Sequence, residues 1–119
     1  MDELEKHKLC ELVLGMATTD GAYCAAENDF FTRLLARLGV ASEEDFVVAP
    51  ISVGSRAAAV LKELSPEAQQ EALELLIATA VVDGKVVPAE RRYLDAVCKA
   101  LGVPPAELEQ RLAERLAAS

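Results

Sequence analysis

Two short segments of this chain hold side chains with chemistry to offer. Asp20 and Glu27 stand seven residues apart, Asp83 and Glu90 repeat that spacing, and each aspartate is followed by a glycine, Gly21 or Gly84. Four carboxylates in two matched loops could offer oxygen ligands to a hard divalent cation such as calcium or magnesium, which for calcium means about six to eight oxygens. Each loop brings only two such side chains, so a cation site requires the loops to converge. Neither loop has the alternate-position acids, central glycine and terminal glutamate of an EF-hand. A structural reading competes. The glycines allow a positive φ where the chain leaves a helix, and Glu27 and Glu90 fall near the third position of the next helix, where a carboxylate can reach back to a free N–H. Asp20 and Asp83 fit that reading less well, because a negative charge at a helix C-terminus opposes the macrodipole by about 0.3–1 kcal/mol. Loop N–H groups or a bound cation would compensate for it, and spacing leaves both open.

The remaining reactive side chains are scattered. His7 is the only histidine and lies among Glu5, Lys6 and Lys8, which reads as a surface position, because zinc or nucleophile–base chemistry needs convergent His or Cys groups. Cys24 falls in the first loop near a helix start, where a thiolate can be stabilised, but no cationic neighbour is evident and a packing role is expected. Cys10 and Cys98 sit among apolar residues at helical spacing and read as reduced, small hydrophobes. Arg91, Arg92, Arg111 and Arg115 read as a solvated face that pairs with surplus acids. No Gly-rich phosphate loop, serine elbow or paired-cysteine metal motif occurs, and no enzyme is expected. An acyl carrier role fails for want of an Asp-Ser-Leu attachment site.

The elements that must position these residues are helical throughout. Leu9, Leu12, Val13, Met16 and Ala17 form one stripe, on a helix ending near Thr18 or Thr19, and Phe30, Phe31, Leu34, Leu35 and Leu38 form a second, closed by Gly39. Ser42 with Glu43, Glu44 and Asp45 predicts the start of a short helix that Pro50 must end. Residues 52–55 read as a connection, and Ala57, Val60, Leu61 and Leu64 as a narrow stripe. Ser65-Pro66 restarts a helix that is apolar on nearly every side from Ala72 to Val82, as a central helix would be. Pro88 opens the next, with Tyr93, Leu94, Val97, Cys98 and Leu101 inward and Gly102 at its end; Pro104-Pro105 start a last helix carrying Leu108, Leu112 and Leu116. The sum is an all-α bundle of about six to seven helices.

An offset of 63 residues aligns Glu11-Leu12 with Glu74-Leu75, Ala17 with Ala80, both Asp-Gly pairs, Glu27 with Glu90, and Leu38-Gly39-Val40 with Leu101-Gly102-Val103. Residues 9–40 and 72–103 are therefore expected to be two pseudo-symmetric helical hairpins within one domain spanning residues 1–119. With 119 residues, 52% of them hydrophobic and 27% charged, the chain has the apolar content to fold as one domain and is unlike a disordered acidic segment. Twelve bases against 20 acids give a formal charge of −8, which argues against nucleic acid and anionic membrane surfaces as partners. No apolar run approaches the roughly 20 residues of a membrane span, and the charged N-terminus lacks a signal-peptide core, so a cytoplasmic protein without membrane insertion is expected.

The stretch from Leu76 to Glu90, containing Ala80, Asp83-Gly84 and Glu90 and followed by Leu101-Gly102-Val103, resembles the tellurite-resistance protein TerB family. Residues 16–40 repeat the pattern less fully, and Ser65-Pro66-Glu67 adds to the likeness. The resemblance implies a TerB-like helical bundle in a bacterial, cytoplasmic setting, a role in tellurite or other stress resistance, and protein partners of Ter type or a membrane-proximal complex. It also implies a candidate metal site in the acidic loops, here Asp20, Glu27, Asp83 and Glu90. Ala22 and Lys85 stand where the family often has an acid, and Lys85 would repel a cation. The expected function is a non-enzymatic interaction module with an acidic helical surface; the alternative is a cation-binding stress protein using the two Asp-Gly loops. A homodimer is compatible with either.

Overall fold

A computed structural model describes residues 3–19, 25–39, 51, 53–82, 84 and 86–118. Six helices run in order: α1 (Glu3–Ala17), α2 (Ala25–Arg37), α3 (Gly54–Lys62), α4 (Pro66–Ala80), α5 (Pro88–Leu101) and α6 (Pro105–Ala118). No strand occurs among the described residues, and the all-α bundle matches the helical periodicity. The short helix expected after Ser42 lies outside the described residues.

Local chemistry sets the helix ends. Ser65 is extended, and its Oγ accepts from the Ala68 N–H at 3.2 Å while Pro66 takes the first helical position, the arrangement that satisfies orphan donors at a helix start. α5 ends on Gly102 at φ +75°, and the Val103 N–H donates to the Cys98 carbonyl at 2.8 Å. A side chain at that φ would be strained, so glycine fits the stop. At the end of α1 the hydroxyls do comparable work: Thr18 Oγ1 donates to the Leu14 carbonyl at 3.0 Å and Thr19 Oγ1 to that of Met16 at 2.9 Å.

The core lies where α4 meets its neighbours. Helix α4 packs against α1, α3, α5 and α6 and buries Ala72, Leu73, Leu75, Leu76, Ile77, Thr79 and Ala80, as its all-round apolar sequence requires. Thr79 is tolerated there because its Oγ1 donates to the Leu75 carbonyl at 2.7 Å. The 63-residue offset carries over into burial. Leu9, Cys10, Val13 and Ala17 of α1 are buried, as are Ala72, Leu73, Leu76 and Ala80 of α4; Phe31, Leu34 and Leu35 of α2 match Leu94, Val97 and Cys98 of α5.

One boundary differs from the sequence expectation. Residues 52–55 read as a connection, but α3 already begins at Gly54. Helix α3 packs along α5, and a Cβ on Gly54 would lie 3.0 Å from Ala96 Cβ and 3.5 Å from Tyr93 Cα. The glycine is there to let two helices approach, and that contact outweighs its poor helix propensity.

Candidate functional site

Of the four acidic residues singled out by spacing, Glu27 and Glu90 lie within the described structure. Asp20 and Asp83 lie outside the described residues. Glu27 is the third residue of α2 and Glu90 the third of α5, and both are buried, at 8% and 5% exposure. Glu90 Oε1 accepts from the Val87 N–H at 3.4 Å, which is one arm of a capping box; valine at the N-cap has no oxygen with which to complete the other. Gly84, in the second loop, has φ +89°. Among the described residues no group of three or more His, Cys, Asp or Glu side chains converges on a point that could hold a metal ion.

A second acidic feature comes from α1. Glu11 is 6% exposed, and its Oε1 makes no hydrogen bond among the described residues. It lies 3.4 Å from His7 Nε2 and 3.5 Å from Lys8 Nζ, ion-pair separations one helical turn away. His7 is partly exposed, as expected of a surface position, and its i,i+4 spacing to Glu11, like the i,i+3 spacing of Lys8, is the sequence signal for these pairs. The twin of Glu11, Glu74, is exposed on α4 and pairs with Arg111 at 3.3 Å and Arg115 at 3.1 Å.

Near Glu11 the backbone of residue 51 crosses α1. The Ile51 N–H donates to the Glu11 carbonyl at 3.1 Å, and the Tyr93 hydroxyl donates to the Ile51 carbonyl at 2.6 Å and lies 3.3 Å from that of Leu12. A Cβ on Gly15 would stand 2.0 Å from the Ile51 carbonyl oxygen, so only glycine permits this crossing. Burial raises the Tyr93 phenol well above its ordinary value, which keeps it a neutral donor to the Ile51 carbonyl.

The thiols and guanidiniums are structural in the same sense. Burial pushes Cys10 and Cys98 from 9.0 up to about 11, helped at Cys10 by the neighbouring Glu11 charge and at Cys98 by Asp95. Neither is a ready thiolate. Cys98 borders a cleft of about 530 Å³ at the α5–α6 corner with Arg91, Asp95, Lys99 and Pro105. Arg91 is held there by Asp95 at 3.0 Å and by Glu109 of α6 at 2.8 Å, and these hydrogen bonds raise its already high basicity. The cleft thus offers a tied guanidinium and a protonated thiol, a poor basis for proton transfer at neutral pH.

No helix of the described residues is long and apolar enough to cross a membrane. No curated protein and no solved structure matches the chain significantly. The family model described as tellurite resistance protein TerB matches residues 50–113, which takes in α3, α4, the second Asp-Gly loop, α5 and most of α6. That match spans more than half of the chain, which therefore belongs to the TerB family.

Proposed function

We propose that this TerB family member is a non-enzymatic interaction module that presents an acidic helical surface to a protein partner of Ter type or of a membrane-proximal complex. The outward side of α4 supports this reading. Glu67, Gln70 and Glu74 are exposed there at helical spacing, Glu71 is half-buried beside them, and Glu63 stands exposed just before the helix begins. Arginines from both flanks bracket the stripe, Arg37 of α2 pairing with Glu71 and Arg111 and Arg115 of α6 with Glu74. Exposed charge of one sign on a rigid central helix steers association and sets register. The test is affinity capture from the native host with wild-type protein and with Glu63→Lys/Glu67→Lys. The reading expects a partner retained by the first and lost by the second; a partner held equally by both removes the acidic surface from the account.

A second reading, a divalent-cation-binding stress protein, draws support from the matched burial of Glu27 and Glu90, each following an Asp-Gly pair. It expects calcium or magnesium to raise the melting temperature of chelator-treated protein, with the rise lost in Asp20→Asn/Asp83→Asn.

A further inference from the structure

We propose that the groove between α2 and α4, which no other described helix covers, docks an acidic amphipathic helix of another protein. This extends the interaction reading to a second face and rests on it only in taking the chain to bind proteins; of the acidic side of α4, only Glu71 borders this groove, through Arg37. Phe30, Leu34 and Leu75, with Arg33 and Arg37, line a groove of about 290 Å³. The 63-residue offset maps these five onto Tyr93, Val97, Leu12, Ala96 and Ala100.

On that second face the chain supplies its own cover. Helix α3 packs along α5, with Gly54 against Ala96 and Tyr93, and Ala57 and Leu61 fully buried. The Tyr93 hydroxyl fastens the incoming segment by donating to the Ile51 carbonyl. The first face departs from the second at the positions a covering segment would touch. Phe30 stands in place of Tyr93 and has no hydroxyl to fasten a carbonyl. Arg33 stands where Ala96 lets α3 approach, and Arg37 takes the place of Ala100.

The α5 side of that second face shows what shape fits along it, namely a helix with a small apolar side. The two arginines set its chemistry. A helix of α3's kind, with Arg56 and Lys62, would meet like charge, whereas one whose apolar stripe is bordered by carboxylates can pair with guanidiniums at the rim. Arg37 already pairs with Glu71 of α4 across this seam, which shows that a carboxylate is accepted there. The molecule as a whole carries −8, so the attraction is local to the rim and selects for a matched partner rather than for any acid.

The probe is a fluorescein-labelled helical peptide with Leu and Ala at i, i+3, i+4 and i+7 and Glu at the bordering positions, beside a twin carrying Lys at those borders. Binding is followed by anisotropy and by amide chemical shifts of the full chain. The expected result is saturable binding of the Glu peptide, with shifts concentrated at Phe30, Arg33, Leu34, Arg37 and Leu75. Arg33→Glu, checked for an unchanged melting temperature, should weaken it by about tenfold, Arg33→Lys should stay within about twofold, and the Lys peptide should bind as poorly as the charge-reversed variant. Shifts elsewhere, equal binding of both peptides, no saturation, or indifference to Arg33→Glu would each overturn the proposal. So would concentration-dependent self-association that Arg33→Glu abolishes, since that gives the groove to a second copy. Peptide binding that persists in Glu63→Lys/Glu67→Lys separates this site from the acidic stripe.

Discussion

A single hydroxyl ties three segments together. Tyr93 donates to the Ile51 carbonyl and lies beside that of Leu12, so Tyr93→Phe leaves the buried Ile51 carbonyl without its hydroxyl donor and should cost about 1–3 kcal/mol. Urea unfolding followed by circular dichroism should show a lower midpoint at an unchanged slope. Nothing in local sequence could announce this bond, because its partners lie 42 and 81 residues away; Tyr93 was legible as an inward residue but not as a fastener. The thiols make a claim about alkali. Folding raises Cys10 and Cys98 from 9.0 to about 11, so above pH 9 the unfolded chain loses protons that the folded one keeps. Their contribution is full below pH 9 and declines as pH rises toward 11. Melting temperatures between pH 8 and pH 10.5 should fall, and the fall should be shallower in Cys10→Ala/Cys98→Ala, whatever its starting stability.

Among the elements, α6 shows which forces hold a peripheral helix. Arg111 and Arg115 reach Glu74, and Arg91 reaches Glu109, all at exposed or half-exposed positions, where an ion pair contributes under about 1 kcal/mol. Leu108 and Leu112 are buried. Leu108→Ala should therefore destabilise by about 2–5 kcal/mol, against less than about 1 kcal/mol for Glu74→Gln, a contrast measurable by denaturant unfolding of the two variants. Elements were also what the sequence displayed best. Ser65-Pro66 and Gly102 stand where they were read, because caps are local chemistry. The start of α3 was misread for the opposite reason: Gly54 looks like a breaker in isolation, and only its contact with Ala96 explains why a helix begins there. The candidate site was half legible. Spacing located Glu27 and Glu90 at the third position of their helices, while the crossing of residue 51 at Glu11 is a long-range contact that no periodicity encodes.

At the scale of the whole molecule, duplication and net charge dominate. The offset of 63 residues is visible as recurring letters, and the apolar positions that it equates in α1 and α4, and in α2 and α5, are buried alike, whereas Glu11 is buried and Glu74 exposed. What the letters did not reveal is that α3 packs along α5 while, among the described residues, no helix packs in the same way along α2. The charge of −8 produces self-repulsion that any electrolyte relieves. For a protein that acts as an interaction module, millimolar magnesium should raise the melting temperature no more than sodium chloride of equal ionic strength; an excess that disappears in Asp20→Asn/Asp83→Asn would instead favour the cation reading. The crossing at Gly15 has a further consequence for how the chain can be divided. Residues 50–113, the span that matches the family model, leave out α1, against which α4 packs and whose Leu12 carbonyl lies beside the Tyr93 hydroxyl. Produced alone, that span should be sticky and half-molten, binding hydrophobic dyes, until a separate peptide of residues 3–19 restores the missing wall.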